Sequence, residues 1–407
     1  MDMRTISISW AFPPMRYPRA VQVDRLLRHL DVKNQIVVST QPSGGQNYET
    51  SLISGDIEHL TIAEYSWFVK AKKIARLIPM VAKIPDLERL WALQASSYIF
   101  QTISPTSEDT LITFGQPMSD HLAGLRIKRK SRCTWVAHFS DPWSDNEFSR
   151  RRGLTKFLNR RLERKVIRTC DAVVFTSIET LNLVMRKYPQ VYSRKSFVVP
   201  HSFESHLDDK AQSVSGPVRM RHIGNFYGHR TPQALFSALA SIQASNPQIL
   251  DQLVIDLVGN IPQRMLRSKE YRNIPEGLIN LISTVSYKES LELMRTSEIL
   301  IIIDAPADLS VFLPSKLVDY LTYDRPIIGF TPKGASLDLI TKCGGYCADP
   351  TDSRAGADVL ERAILLAKER RENSHKGWAP TEVRDFYSAS NVASMFQKIL
   401  EQARESA

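Results

Sequence analysis

Short apolar runs alternate along the chain with longer stretches in which apolar residues recur at the spacing of a helix face. Runs of about four to eight residues bounded by turn residues predict strands, and strands that alternate with helices predict a parallel sheet. In the first half, the runs are Thr5–Trp10, Gln35–Ser39, Thr110–Phe114, Thr134–Phe139, Ala172–Thr176 and Ser196–Val199. This half is therefore predicted to be a doubly wound α/β domain over residues 1–205.

A polar segment, Glu204 to Pro217, interrupts the pattern, and the alternation then begins again. The later runs are Val218–Ile223, Leu253–Val258, Ile279–Leu281, Ile299–Ile303 and Pro326–Phe330. A second parallel-sheet domain is predicted over 217–388, after a linker at 206–216. The length agrees, because 407 residues exceed the about 100–200 of one typical domain.

The window from Ile299 to Phe330 has the clearest functional pattern. An apolar run leads into a polar loop, and Pro314 and Ser315 then open a predicted helix. Ligands of parallel sheets bind at the carboxyl ends of strands, where the free N–H groups of a helix start favour an anion. Lys316 falls in the first turn and Asp319 one turn later, on the same side of the helix. A phosphate and a vicinal diol would suit this cation and this carboxylate.

A second window, Val218 to Ala234, has the composition of a phosphate-binding loop. A predicted strand is followed by Gly224 and Asn225, then by Gly228 and Arg230, before the next helix. Glycines let the backbone approach a pyrophosphate closely, and an arginine can hold it with two parallel hydrogen bonds. Both windows therefore indicate a site for a phosphorylated ligand.

In these windows the chain resembles the family 4-like retaining glycosyltransferases of the GT-B fold. Such enzymes typically open their donor domain with a G-N-x-x-G-x-R loop and close the donor site with a P-S-K-x-x-E-Y helix. Ser7–Ala20 resembles the family's first strand and Pro-Pro loop, and Thr134–Trp143 resembles its acceptor-side D-P-W segment, so the resemblance covers nearly the whole chain. The matching residues of the two donor motifs are Gly224, Asn225, Gly228, Arg230, Pro314, Ser315, Lys316, Asp319 and Tyr320.

The resemblance implies two Rossmann-like, doubly wound parallel-sheet domains that face a cleft, with a C-terminal helix, residues 389–407, that returns to the N-terminal domain. It also implies hexosyl transfer from a nucleotide sugar with retention of configuration and without a metal. No Asp-x-Asp, the common metal-holding motif, occurs in the sequence. The residues expected to bind the donor are Gly224, Asn225, Phe226, Tyr227, Arg230, Ser315, Lys316 and Asp319.

The chemistry of glycosyl transfer assigns roles to four residues. Arg230 and Lys316 are predicted to stabilise the departing diphosphate, because negative charge develops there in the transition state. His138 and Asp141 come at the end of a predicted strand of the acceptor-side domain. We predict that they activate or orient the acceptor hydroxyl.

The chain departs from the family pattern at two places. The first loop lacks the usual glycine pair, and its Arg16 and Arg19, with Gln116 from a later loop, are predicted to form an acceptor or diphosphate loop. Where the family's paired acidic motif has its first carboxylate, this chain has Val311, with Asp308 or Ser310 as substitutes.

The net charge is 53 − 43 = +10, and much of the excess lies in Trp67–Ile84 and Ser149–Arg168, where cations and apolar residues are interleaved. Basic amphipathic helices bind anionic membrane surfaces. The alternative is a solvated charged face over a buried apolar stripe. Nucleic acid is not expected as a partner, since no nucleic-acid-binding motif accompanies the charge.

Nothing in the sequence predicts a membrane span or a secretion signal. The longest apolar run is far short of the roughly 18–20 residues a span requires, and the first residues contain no signal-peptide core. The four cysteines lack zinc-knuckle spacing and are expected to be reduced. We expect a cytoplasmic protein, peripheral at the inner face of the cell membrane, with neither a metal nor a cofactor besides the nucleotide-sugar co-substrate.

The predicted function is transfer of a sugar from a nucleotide-sugar donor to a glycan or lipid-linked acceptor in the synthesis of a cell-surface polysaccharide (capsule, O-antigen or exopolysaccharide). Two alternatives stay open from the sequence. One is a sugar-nucleotide epimerase on the same architecture, which would need no acceptor. The other is a non-catalytic protein that binds a nucleotide or a glycan. This alternative stays open because Val311 stands where the family has an acidic residue.

Overall fold

The structure is a computed structural model that describes residues 4–15, 17–41, 57–149, 151–204, 216–372 and 378–407 of the 407-residue chain. Contacts divide the chain into two compact units. The first is Met1–Ser202 with Ala389–Ala407, and the second is Phe203–Ser388. Most of the predicted linker, residues 206–215, lies outside the described residues.

The described strands of the first unit form one parallel sheet in the order β3-β2-β1-β4-β5-β6-β7. They are β1 (Arg4–Ile8), β2 (Asn34–Thr40), β3 (Glu58–Ile62), β4 (Thr110–Phe114), β5 (Thr134–Phe139), β6 (Ala172–Phe175) and β7 (Ser196–Val198). The helices between them are α1 (Pro18–Arg28), α2 (Ser66–Leu77), α3 (Pro79–Ala82), α4 (Arg89–Thr102), α5 (Ser119–Ser131), α6 (Gly153–Thr169) and α7 (Ile178–Met185).

The second unit repeats this plan with a parallel sheet in the order β10-β9-β8-β11-β12-β13. Its described strands are β8 (Val218–Ile223), β9 (Leu253–Val258), β10 (Ile279–Ile282), β11 (Ile299–Ile303), β12 (Ile327–Phe330) and β13 (Tyr346–Ala348). Its helices are α8 (Gln233–Ser245), α9 (Lys269–Arg272), α10 (Tyr287–Arg295), α11 (Ser315–Asp319), α12 (Ala335–Lys342), α13 (Ser353–Glu372) and α14 (Thr381–Tyr387).

Helices cover both faces of each sheet. In β11, for example, successive side chains pack alternately against helices on the two faces. All five residues of β11 are buried. Ile301 and Ile303 pack in one hydrophobic cluster with α8 and α13, while Leu300 and Ile302 pack in another with α11 and α12. A strand that is buried on both faces has a continuous apolar sequence, and for this reason β11 can be predicted well from the sequence. The prediction of two doubly wound parallel sheets is confirmed.

The last helix, α15 (Ala389–Glu405), belongs to the first unit. Its apolar stripe includes Val392, Phe396 and Leu400, which pack with α1 and with strand residues such as Ile112 and Val136. The stripe recurs every four residues, so the helix buries one face and leaves the other to solvent.

The four cysteines are free, with Cys133, Cys170 and Cys343 buried and Cys347 half-buried. No helix among the described residues is long and apolar enough to cross a membrane.

Candidate functional site

In both sheets the strand order reverses direction beside the first strand, at β1 and β4 in the first unit and at β8 and β11 in the second. Ligands of doubly wound sheets bind at the carboxyl ends of the strands on either side of such a point. In the second unit, Gly224 follows β8 and Asp304 follows β11. The predicted phosphate-binding residues are therefore expected around these two positions.

Gly224 occupies a position that disfavours a side chain. Its backbone has a φ of +143°, and a Cβ there would lie 3.2 Å from Lys316 Nζ. At the end of β9, a Cβ on Gly259 would lie 2.7 Å from the Gly224 carbonyl oxygen. The two glycines let the loop after β8 pass directly under the ammonium of Lys316.

Tyr320 fixes the position of Lys316. Its buried hydroxyl accepts a hydrogen bond from the backbone N–H of Ile223 at 2.9 Å, which ties the end of α11 to the end of β8. Lys316 then reaches back over the same strand, where its Nζ lies 3.1 Å from Nε2 of His222. Nδ1 of His222 lies 3.1 Å from the carbonyl oxygen of Ile301, which can only accept. Nδ1 therefore carries the proton of His222, and Nε2 accepts from Lys316.

Arg230 is anchored by a carboxylate that the sequence did not single out. Its Nη2 lies 3.0 Å from Oδ1 of Asp304, and both side chains are buried. Thr331 donates to the other oxygen of Asp304 at 3.0 Å, and Tyr227 accepts from Nη1 of Arg230 at 3.0 Å. The buried Nε of Arg230 has no hydrogen-bond partner. An unsatisfied buried N–H is costly, and this donor of Arg230 has no hydrogen-bond partner among the described residues.

The charges at this site favour an anion. The pKa of Lys316 is lowered to about 7, first because its ammonium is removed from water and next because Arg230 is near, and Asp304 partly opposes this. Burial, reinforced by Lys316, also lowers the pKa of His222 well below its usual value, so His222 stays neutral. The cluster holds Arg230 and Lys316 against one carboxylate, and a bound diphosphate would supply the missing negative charge.

The predicted donor-binding residues on the loop after β8 have different surroundings. The side-chain oxygen of Asn225 accepts from the N–H of Asn260 at 2.8 Å, so Asn225 ties the loops after β8 and β9 together. Phe226 is buried and stacks on His222, with ring centroids 4.5 Å apart. Tyr227 is exposed, and its ring lies under the guanidinium of Arg230.

Helix α11 is short, with the five residues Ser315–Asp319 followed by a 3-10 turn at Tyr320–Thr322. So short a helix has little dipole, and the anion preference rests on side chains instead. Ser315, Lys316 and Asp319 are all half-buried.

The loop before α11 contains no carboxylate at the position where the family has one. Val311 is buried, and the neighbouring Ser310 donates its backbone N–H to the carbonyl of Lys333 at 2.8 Å. Asp308 is exposed. A Cβ on Gly334 would lie 2.0 Å from the Ser310 carbonyl oxygen, so this glycine is needed for the loop to pack.

In the first unit, His138 lies at the end of β5 and contacts Arg19 of α1. Nη2 of Arg19 lies 2.9 Å from Nδ1 of His138, and both side chains are buried. The pKa of His138 is held well below its usual value, first by burial and next by Arg19. An arginine can only donate, so Nδ1 accepts and Nε2 carries the proton. In this arrangement His138 can donate a hydrogen bond to a ligand but holds no free lone pair for a base.

Arg19 also faces a small cavity within the first unit, lined in part by Gln22, His138 and His201. Burial lowers the pKa of Arg19 to about 10, an effect that nearby Asp141 opposes. Its Nε is buried without a hydrogen-bond partner.

Asp141, Gln116 and Arg16 complete the predicted acceptor side. Nε2 of Gln116 donates to Oδ2 of Asp141, so these two residues are in contact. Gln116 has a φ of +41°, a left-handed conformation that is uncommon for a residue with a side chain. Arg16 lies outside the described residues. The structure thus joins Asp141 to Gln116 and His138 to Arg19.

Sequence reasoning missed His222, Asp304 and His201. Asp304 could have been found, since it directly follows an apolar strand at the carboxyl edge of the sheet. His222 lies inside β8, and its contact with Lys316 joins residues 94 positions apart. Within the described residues, no group of three or more His, Cys, Asp or Glu side chains is arranged to hold a metal.

Comparisons with known proteins agree on the fold. No protein-family model matches the chain, and no curated protein sequence does. Among solved structures, HepE of Anabaena in complex with UDP and glucose has a TM-score of 0.68 at 13% identity, with 98% of this chain and 100% of that chain covered. HepE is also known with UDP alone and with UDP-glucose.

Two further solved structures are similar over their full lengths. The trehalose-6-phosphate synthase OtsA has a TM-score of 0.71 at 11% identity, over 98% of this chain and 99% of that chain. The lipopolysaccharide outer core galactosyltransferase WaaB, in its apo form, has a TM-score of 0.62 at 12% identity, again over 98% and 99%. The chain therefore has the GT-B fold of these glycosyltransferases.

Proposed function

We propose that this protein is a glycosyltransferase that moves a sugar from a nucleotide-sugar donor to an acceptor hydroxyl. The observation that carries the proposal is the cluster at the carboxyl ends of β8 and β11. There, the buried Arg230 keeps an unpaired N–H, and Nζ of Lys316 lies close to Gly224 and His222 at the end of β8. The GT-B fold supports the same reaction class.

In the proposed mechanism, Lys316 and Arg230 hold the diphosphate of the donor and stabilise the charge that develops on it as the glycosidic bond breaks. Removing such a contact typically costs about 10²-fold or more in rate. Asp304 orients Arg230, and His222 orients Lys316 through its neutral imidazole. We propose that transfer proceeds with retention of configuration and that these cations take the place of a metal.

UDP-glucose is the donor we propose to test first, because HepE, which has this fold, is known in complex with it. Asp319 lies on α11 one turn after Lys316 and is proposed to accept hydrogen bonds from the ribose hydroxyls. Gly224, Asn225 and Ser315 are proposed to line the diphosphate.

The first unit is proposed to bind the acceptor. With Nδ1 of His138 occupied by Arg19, we assign the proton-accepting role to Asp141 and an orienting role to His138. The acceptor is proposed to be a glycan or lipid-linked sugar of a cell-surface polysaccharide, for which the fold similarity to WaaB is the support. The site of action is proposed to be the cytoplasmic face of the membrane.

Val311 favours a second candidate, a protein that binds nucleotide sugars without transferring them. The absence of the family's carboxylate at this position removes one expected contact to the donor sugar. Binding and turnover must therefore be measured separately.

The experiment that tests the proposal is a thermal-shift and calorimetric panel of nucleotide sugars. A ligand at about a hundredfold its Kd stabilises the fold by roughly 2.7 kcal/mol. We expect one nucleotide sugar to bind, and Lys316→Met to weaken its binding at least about tenfold, because a cation at the diphosphate is lost. Lys342→Met is the matched control, since Lys342 is an exposed lysine of α12 in the same unit. If no nucleotide sugar binds, the proposal is wrong.

A further inference from the structure

Helix α2 presents its large apolar side chains to solvent rather than to the core. Of the twelve residues of this fully described helix, Phe68 alone is buried. Trp67, Ile74 and Leu77 are spaced by seven and three positions, which puts them on one face. They are 58%, 62% and 82% exposed. An amphipathic helix that docks on its own domain would show the opposite arrangement.

The first turns of α6 extend this exposed apolar surface. Leu154 and Phe157, three residues apart, are 57% and 60% exposed. Nδ2 of Asn159 donates to the carbonyl of Lys83 at 2.7 Å, so α6 packs beside the segment that follows α3. Helix α6 therefore lies next to the chain segment that continues from α2 through α3, and we treat the exposed apolar side chains of α2 and α6 together as one surface of the first unit. We name this surface the apolar ridge: Trp67, Ile74, Leu77, Leu154 and Phe157.

Exposed cations surround the apolar ridge. Lys70, Lys73 and Arg76 of α2 are exposed, as is Arg161, which follows Phe157 by one turn on α6. Residues 65–85 contain no Asp or Glu. The surface is therefore complementary to an anionic partner that also accepts apolar side chains.

Arg151 belongs to the basic stretch Ser149–Arg168 but is not one of the exposed cations beside the apolar ridge. Arg151 is half-buried, and its guanidinium donates to the carbonyls of Pro85, at 2.9 Å, and Trp143. Substituting Arg151 would therefore disturb the fold and would not test lipid binding.

We infer that the apolar ridge and its cations dock this protein on an anionic lipid bilayer, with the ridge inserted at the headgroup level. The inference rests on the proposed function, in which it sets where a lipid-linked acceptor is met. Tryptophan, leucine and phenylalanine flanked by lysine and arginine are the composition of helices that lie in a membrane interface. A second copy docked through the same patch would bring like charges together, which argues against a dimer there.

The first test is flotation with vesicles of pure phosphatidylcholine and vesicles with about one third phosphatidylglycerol. The wild type should bind the anionic vesicles more tightly, and binding should weaken as salt is raised. The double substitution Ile74→Ser and Leu77→Ser should lower binding at least about tenfold, since two inserted apolar side chains are lost. Leu365→Ser is the matched control, because Leu365 of α13 in the second unit is 66% exposed and lies outside the ridge.

Charge is tested in the same way. Lys70→Gln with Lys73→Gln should lower anionic-vesicle binding by about 30-fold and flatten its salt dependence, at about 1 kcal/mol per cation. Arg264→Gln with Arg267→Gln removes two exposed cations of the second unit and should leave binding unchanged.

Insertion of the apolar ridge into the bilayer can be followed by tryptophan fluorescence, because Trp67 is the exposed tryptophan of the described residues. Brominated acyl chains should quench part of the tryptophan fluorescence when the protein binds vesicles. Trp67→Phe should abolish this quenching.

The inference is overturned if the wild type does not bind anionic vesicles at low salt or the ridge variant binds like the wild type. It is equally overturned if the ridge variant only converts a dimer to a monomer. Calorimetry with UDP-glucose on the same variants should give unchanged affinity. Loss of donor binding in the wild type would count against the proposed function and not against the docking surface.

Discussion

The lowered pKa of Lys316 makes donor affinity depend on pH in a direction that follows from the structure. The pKa of Lys316 is about 7, through burial first and Arg230 next. A diphosphate would return this pKa toward the ordinary lysine range, because an opposite charge favours the ammonium form. Lys316 should therefore take up a proton when a nucleotide sugar binds above about pH 7.

The magnitude follows from linkage. Affinity for UDP-glucose should be nearly constant below about pH 7 and should fall above it, with a limiting slope of tenfold, or about 1.4 kcal/mol, per pH unit. From about pH 7 to 8.5 this amounts to a loss of roughly 10- to 20-fold. The unliganded fold should show the opposite trend and gain stability as pH rises above 7, because the unfolded lysine keeps a proton that the folded one has lost.

Calorimetry in two buffers of different ionisation enthalpy measures the proton uptake directly. At about pH 8 the wild type should take up close to one proton per UDP-glucose bound. Lys316→Met should bind weakly with no uptake, and Arg230→Met should shift the midpoint to higher pH because it removes the second cause of the lowered pKa. An affinity that stays flat between about pH 7 and 8.5, with no proton uptake, would refute this reasoning.

Three further predictions follow from the same geometry. Gly224→Ala should weaken UDP-glucose binding about tenfold or more and lower the Tm, because it strains a backbone with φ of +143° and crowds Lys316 Nζ. Asp319→Asn should weaken donor binding severalfold in an equilibrium titration, since the charge and half of the acceptor capacity are lost. His138→Gln and Asp141→Asn should each lower kcat about 10²-fold with donor Kd nearly unchanged.

The substitutions at Gly224 and Asp319 each have a control within the chain. Gly277→Ala also changes a glycine with positive φ, but nothing lies within 4 Å of its added Cβ, so donor binding should not change. Asp338→Asn alters an exposed carboxylate of α12. If Asp319→Asn binds UDP-glucose as Asp338→Asn does, the ribose contact is wrong. Parallel losses of kcat and donor affinity at His138 would indicate a structural role.

The fold could be predicted from the sequence because the central strands are buried on both faces. Thr110–Phe114, Thr134–Phe139 and Ile299–Ile303 are apolar runs whose predicted and observed bounds agree. Two edge strands were missed. Residues Glu58–Ile62 are only partly buried, and Tyr346–Ala348 has three residues, too few for a period to be visible.

The candidate site could be predicted only in part. The sequence singled out Lys316 and Arg230 because the windows that carry them follow strands, and that position is visible in the sequence. The bonds that hold them could not be predicted, because Lys316 with His222, and Arg230 with Asp304, join distant segments. The basic stretch Trp67–Ile84 was identified, but the sequence could not tell that its apolar residues face solvent.

The proposed function requires that this protein transfer a sugar, and turnover of a labelled donor measures that transfer. The protein would be incubated with UDP-[¹⁴C]glucose, or with the donor that the binding panel identifies, together with anionic vesicles that carry lipid-linked acceptors. The proposed function predicts that label moves to the acceptor with an equal amount of nucleoside diphosphate released, and that Lys316→Met reduces both together at least about 10²-fold. Binding of the donor with no transfer, or recovery of the label as an epimerised nucleotide sugar, would contradict it.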